Sequence, residues 1–203
     1  MKENKKVVIF DFDGVIVDTF DFCYQITKIN NPKLTSDEYR TYFEGNINDA
    51  KKVEKTDFDF FAHYTPRLQK KEPIEEISDV IKKLSEKYTL VIVSSTITPP
   101  ITEFLKKHNL LEYFSDILGN DIAKSKMVKI QMVLDKHNIN AKDCVFVTDT
   151  LGDIKEADNM NVRSIAVLWG YHDMDTLKHK GVFCFSETAR DIVILVEKYF
   201  ANL

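Results

Sequence analysis

Four short apolar runs constrain this chain most: Val7–Phe10, Leu90–Val93, Val145–Val147 and Ile165–Leu168. They are rich in β-branched residues and too short for helices. Such runs read as strands buried on both faces, as in a parallel sheet. Weaker runs of the same kind occur at Ile117-Leu118 and Val182–Phe185. Between them the apolar period becomes helical. Ile77, Val80, Ile81 and Leu84 share one face, Ile101, Phe104 and Leu105 another, and Met127, Ile130, Val133 and Leu134 a third. Ile192, Leu195, Val196 and Tyr199 mark a C-terminal helix. Strand and helix in alternation predict an α/β fold, a Rossmann-like parallel sheet with helices on both faces.

One stretch interrupts the alternation. From Phe20 to Lys71 there is no strand-like run; Tyr24, Ile26 and Ile29, then Tyr39, Tyr42 and Phe43, then Phe58, Phe61, Tyr64 and Leu68 read as faces of short helices. Asn31-Pro32, Gly45-Asn46 and Glu72-Pro73 punctuate them. The expected organisation is a core domain from residues 1–15 and 75–203, with an inserted α-helical cap at 16–74.

Composition narrows the function. In 203 residues, 28 Lys and Arg face 32 Asp and Glu, a formal charge of −4. A dedicated nucleic-acid binder usually carries a strong basic excess, so no nucleic-acid partner is expected. No apolar run approaches the ~18 residues of a membrane span, so no membrane partner is expected either. The basic-then-apolar N-terminus reaches Asp11 and Asp13 too soon for a signal-peptide core, which predicts a cytoplasmic protein. Cys23, Cys144 and Cys184 fit no disulfide or metal spacing.

The chemistry lies at the strand ends, where open α/β sheets bind ligands. Asp11-Phe12-Asp13-Gly14-Val15 follows the first run. Residues two apart on extended chain face the same way, so Asp11 and Asp13 project together, and Gly14 lets the chain turn behind them. Asp149 ends the Val145–Val147 strand, and Asp153 opens the next helix, where it can also serve as an N-cap. Carboxylates converging on one sheet edge repel one another. A hard cation with oxygen ligands relieves this, and Mg²⁺ suits one or two carboxylates plus a phosphate. Ser94, Ser95 and Thr96 end the Leu90–Val93 strand and offer hydroxyl and N–H donors to phosphate oxygens. Ser125 is a good N-cap, which puts Lys126 at the first helical position; Lys124 lies just before the cap.

The order Asp pair, hydroxyl, Lys, Asp pair resembles the haloacid-dehalogenase-like hydrolase superfamily over essentially the whole chain. It is most similar to the phosphoglycolate-phosphatase-like and phosphoglucomutase-like group with a small helical cap. Val167–His172 and Phe185-Ser186-Glu187 also resemble that group. The resemblance implies a Mg²⁺-dependent phosphatase acting on a small-molecule phosphate monoester through an aspartyl-phosphate. Asp11 would be the nucleophile and Asp13 the acid and base. The Asp11 carboxylate, the Asp13 carbonyl, Asp149 and Asp153 would hold the metal, and Ser94 the transferring phosphoryl group. The group's spacing fits Lys126 in one subgroup and Lys124 in another; the N-cap favours Lys126. Gly14, Ser95, Asn46 and Arg67 are candidate substrate contacts, Arg67 for a second anionic group. The chain has Thr148 where the family often has Gly, and Asp13 where dehalogenases lack an acid, which argues against a carbon–halogen substrate. Alternatives are a phosphomutase and a non-catalytic phosphometabolite-binding protein.

Overall fold

The structure, a computed structural model, describes residues 6–49 and 58–203. The strands are β1 Val7–Phe10, β2 Thr89–Val93, β3 Phe114–Leu118, β4 Cys144–Thr148, β5 Arg163–Val167 and β6 Val182–Ser186. They form one six-stranded sheet in the order β3-β2-β1-β4-β5-β6, with every pair parallel. β1 is central: Val8 sits between Leu90 of β2 and Val145 of β4. This is the expected Rossmann-like sheet. The chain runs from β1 outwards to β2 and β3 on one side, then crosses back to β4 on the other side of β1, so the tips of three adjacent strands border one crevice.

Alternation along β1 feeds two cores. Val8 and Phe10 pack with helices α4 (Ile77–Ser85), α5 (Thr98–Lys107) and α9 (Asp191–Ala201). Val7 and Ile9 point the other way, onto Ile130, Val133 and Leu134 of α6 (Lys126–His137) and Ala157 of α7 (Leu151–Asn159). All four β1 side chains are fully buried, which is why the run carries no polar residue. Asn138 ends α6 in the left-handed conformation, at φ 52°, a role that Asn fills at helix C-termini.

Between β1 and α4 lie α1 (Phe20–Asn30), α2 (Ser36–Thr41) and α3 (Phe60–Leu68). Among the described residues of 20–71 there is no strand; residues 50–57 of that stretch lie outside the description. Thr35 opens α2 with a capping box: its hydroxyl accepts from the Glu38 N–H, and Glu38 accepts from the Thr35 N–H. Asp59 caps α3 by accepting from Ala62. No helix among the described residues is long and apolar enough to cross a membrane.

Candidate active site

Asp11 continues the β1–β4 ladder by one residue, its N–H donating to the Val147 carbonyl at 2.9 Å. That places its carboxylate at the sheet edge, buried. One oxygen accepts from the Phe12 N–H at 2.7 Å and the other meets the Lys126 ammonium at 2.8 Å. Lys126 starts α6 because Ser125 caps the helix, accepting from the Met127 N–H. Its Nζ also donates to Asp153 Oδ2 at 2.6 Å, and the Thr148 hydroxyl donates to the same oxygen at 2.7 Å. Burial works against the Lys126 charge, but the two carboxylates outweigh it and hold the ammonium above its ordinary pKa. Burial also opposes ionisation of Asp153; Lys126 and the Thr148 hydroxyl prevail, and its carboxyl falls below the ordinary range. Asp11 goes the other way, raised by burial more than Lys126 lowers it.

Asp149 follows β4. One oxygen accepts from the Tyr171 N–H at 2.7 Å; the other, Oδ1, is buried with no hydrogen-bond partner. Burial raises its pKa to about 7. Gly14, at φ +74°, lies directly against this carboxylate: a Cβ there would come within 2.0 Å of Asp149 Oδ2. Asp11, Asp149 and Asp153 each offer an oxygen within 4.8 Å of the others. Three clustered buried carboxylates, one with an orphaned oxygen, are an all-oxygen donor set that fits a hard divalent cation.

A cavity of about 280 Å³ opens above this edge. Asp11, Asp13, Lys126 and Asp153 are on its floor, with Ser95 and Thr96 from the end of β2. Asp13 is held from both sides. The Thr96 hydroxyl donates to Oδ2 at 2.7 Å and the Tyr64 hydroxyl of α3 donates to Oδ1 at 2.6 Å. The inserted segment thus reaches an acid on β1's tip. It also docks on α7: the Gly152 N–H donates to the Phe43 carbonyl at 2.8 Å, and a Cβ on Gly152 would lie 2.3 Å from the Gly45 carbonyl oxygen. A third joint is His172, whose Nδ1 accepts from the Leu151 N–H at 3.0 Å, so Nε2 carries the proton and donates to the Arg40 carbonyl at 2.9 Å. Burial lowers its pKa and keeps the imidazole neutral.

The structure brings most of the sequence candidates together and leaves some apart. Asp11, Asp13, Ser95, Lys126, Asp153 and Asn46 line the cavity. Lys124 does not: it is exposed, and its carbonyl accepts from Asn48. Ser94 is fully buried behind Ser95, its hydroxyl accepting from the Thr96 N–H at 3.0 Å. Arg67 is a correction. It is exposed on α3 and folds back onto the His63 carbonyl at 2.8 Å, because the buried face of that helix is Tyr64 and Leu68. Gly14 is another: it does not line the cavity and serves the close approach to Asp149. Asp153 is not the cap of α7 either; Thr150 is, accepting from the Asp153 N–H at 3.4 Å, which frees the Asp153 carboxylate for Lys126. Sequence reasoning missed Tyr64 and Lys129. Lys129 is buried with Nζ donating to the Ser94 carbonyl at 2.6 Å, and burial and Lys126 lower its pKa to about 8. Its position three residues after Lys126, on the same helix face, was the available signal.

The fold and this charged sheet edge define a class of α/β proteins with carboxylates clustered at the strand tips, and comparison with known proteins gives the family. The haloacid dehalogenase-like hydrolase family matches residues 8–167, and the chain belongs to it. A phosphoglycolate phosphatase of Vibrio parahaemolyticus is 24% identical over 202 residues, covering 84% of this chain and 87% of the relative. One from Aliivibrio fischeri is 25% identical over 202 residues, covering 85% and 88%. Among solved structures, a haloacid dehalogenase-like hydrolase from Streptococcus pneumoniae superposes with a TM-score of 0.77 at 18% identity, over 94% of this chain and 98% of that one. CbbY from Rhodobacter sphaeroides, solved in complex with phosphate, gives 0.75 at 15% identity, over 95% and 99%.

Proposed function

We propose that this protein is a Mg²⁺-dependent phosphatase that hydrolyses a small-molecule phosphate monoester through an aspartyl-phosphate on Asp11, with residues 16–74 as a helical cap over a core of 1–15 and 75–203. The observation that carries the reading is the convergence of Asp11, Asp13 and Lys126 on the floor of one cavity, with Asp149 and Asp153 beside them. Asp11, Asp149, Asp153 and the Asp13 carbonyl would hold the cation. When bound, it would offset the carboxylate charge and that of the phosphoryl oxygens.

The residues divide the work in two displacements. An Asp11 carboxylate oxygen attacks phosphorus and the bond to the substrate's alcohol oxygen breaks, while Asp13 gives that oxygen its proton. Water then attacks the same phosphorus, Asp13 takes the water's proton, and the acyl-phosphate bond breaks to release phosphate and restore Asp11. Lys126 orients Asp11 and neutralises charge that spreads over the phosphoryl oxygens. Ser95 and Thr96 frame the phosphoryl seat, with Ser94 supporting them from behind and Lys129 fixing the Ser94 carbonyl. Tyr64 and Thr96 fix the Asp13 carboxylate between the leaving oxygen and the later water. Closure of the insertion over this floor excludes bulk water.

The direct test is phosphate release from a panel of phosphorylated metabolites with Mg²⁺, comparing wild type with Asp11→Asn. Turnover that requires Asp11 supports the reading. Equal release by both proteins overturns it.

A further inference from the structure

The cavity's walls differ in kind from its floor. Tyr39, Tyr42 and Phe43 enter it from α2 and the turn after it, and Phe60, Phe61 and Tyr64 from α3. The rings brace one another. Tyr39 stands edge-on to Phe43 at 5.1 Å and to Tyr42 at 5.9 Å, Phe61 stands edge-on to Tyr64 at 5.8 Å, and Phe60 stacks on Tyr64 at 5.8 Å. Aromatic walls fixed by their own packing offer ring faces and edges at little entropic cost to a bound group.

Among the described residues, Lys126 is the only cation that lines the cavity, and the arginines nearby are engaged elsewhere. Lys126 contacts two carboxylates. The Arg40 guanidinium lies 4.0 Å from the Phe20 ring centre and donates to the Tyr171 carbonyl, and Arg67 is turned to solvent. Asn46, Asn48 and Asn120 also line the cavity, but among the described lining residues a second anionic group would meet rings and amides with no cation besides Lys126 to offset its lost water. At about 280 Å³ the cavity lies just below the ~300–1,000 Å³ of small-molecule sites, room for a phosphoryl group and one ring-sized moiety.

We infer that the preferred substrate is a monophosphate ester of an uncharged alcohol carrying one flat, largely apolar ring, and that Phe43, Phe60 and Phe61 select it. This rests on the phosphomonoesterase reading and gives it a substrate class. It also separates this chain from its phosphoglycolate phosphatase relatives, whose named substrate carries a carboxylate.

Two measurements separate the two claims. The first is binding of benzylphosphonate, propylphosphonate and phosphonoacetate to the Mg²⁺-loaded protein, by calorimetry. The second is phosphate release from benzyl phosphate, propyl phosphate and phosphoglycolate, all esters of primary alcohols, by wild type and Asp11→Asn. Benzylphosphonate should bind at least ~10-fold tighter than the other two, since even one methylene in an apolar pocket is worth ~10–200-fold. Benzyl phosphate should lead in kcat/KM by a similar factor. Phe61→Ala should bring the benzyl-to-propyl ratio towards one; Phe61→Leu and Phe43→Leu, which retain bulk, provide folded controls with a smaller drop. Equal or tighter binding of propylphosphonate or phosphonoacetate overturns the inference, whatever the turnover. Benzylphosphonate preference with no Asp11-dependent release from any ester supports the ring site and overturns the phosphatase reading.

Discussion

Charge gathers on the floor of the cavity and ring surface on its walls, and the two regions are specified differently. The floor residues, and Asp149 beside them, each follow a strand or start a helix within a few residues of a recognisable signal: Asp11 after β1, Asp149 after β4, Lys126 behind the Ser125 cap. The walls come from α2, the turn after it and α3, and their rings meet through packing. The floor is electrostatically tense: Asp11 and Asp149 are raised by burial while Asp153 is lowered chiefly by Lys126. The walls are joined to the core by hydrogen bonds such as Tyr64–Asp13, Gly152–Phe43 and His172–Arg40. A chemistry that stays fixed and a specificity that varies are naturally divided this way, because the walls can change without disturbing the charge balance beneath.

The largest expected break of this division is on the floor. Asp11→Asn keeps the shape and the Lys126 neighbour but removes the nucleophile, so phosphate release should fall by ~10³-fold or more, with the circular dichroism spectrum unchanged. Lys126→Ala should cost ~10²–10³-fold in kcat, whereas Lys124→Ala, on an exposed residue whose carbonyl accepts from Asn48, should act as a surface change of about 0.5 kcal/mol or less. Matching losses in the two variants, measured in steady-state kinetics, would contradict the placement of α6.

Where wall meets floor the effect should be intermediate. Tyr64→Phe keeps the ring and deletes the hydroxyl that donates to Asp13. A hydrogen bond to a charged group is worth ~1.5–3 kcal/mol, so kcat should drop roughly 10- to 100-fold while KM moves little. A change confined to KM would show that Tyr64 serves only the wall.

The smallest effects are in stability, and their signs oppose. Asp149 has a folded pKa of about 7, above its unfolded value. Its contribution is present below the unfolded pKa and is lost as pH rises through about 7. In EDTA, Asp149→Asn should therefore gain on wild type between pH 5 and pH 8, by on the order of 2 kcal/mol, and Mg²⁺ should erase the gain. His172 has a folded pKa below its unfolded value. Its contribution is present above the ordinary histidine range and is lost as pH falls through the lowered value. The wild-type advantage over His172→Gln, about 1 kcal/mol near neutrality, should shrink on acidification. Thermal melts across pH read both slopes.

What the sequence revealed follows the same division. Continuous apolar runs exposed the sheet and its strand tips, because burial on both faces of β1 and β4 leaves no polar alternation, and period-3.6 patterning exposed the helices. The Ser125 cap chose Lys126 over Lys124 correctly as the lysine at the sheet edge. The walls resisted such reading. His63, Tyr64 and Arg67 share one turn of α3, and nothing local says that Tyr64 turns inward to Asp13 while Arg67 turns out; the packing of α3 against α1 and α5 decides it. The three hydroxyls after β2 were likewise indistinguishable locally: Ser95 and Thr96 line the cavity, while Ser94 is fully buried.

The central claim is that Asp11 carries the phosphoryl group, and chemical trapping tests it most directly. Wild-type protein turning over a monoester with Mg²⁺ is quenched and reduced with borohydride, which converts an aspartyl-phosphate to homoserine, and its peptides are sequenced by mass spectrometry. The account predicts homoserine at position 11, dependent on substrate and absent from Asp11→Asn. Sustained Asp11-dependent turnover with no homoserine at position 11, or with homoserine at another aspartate, would contradict it.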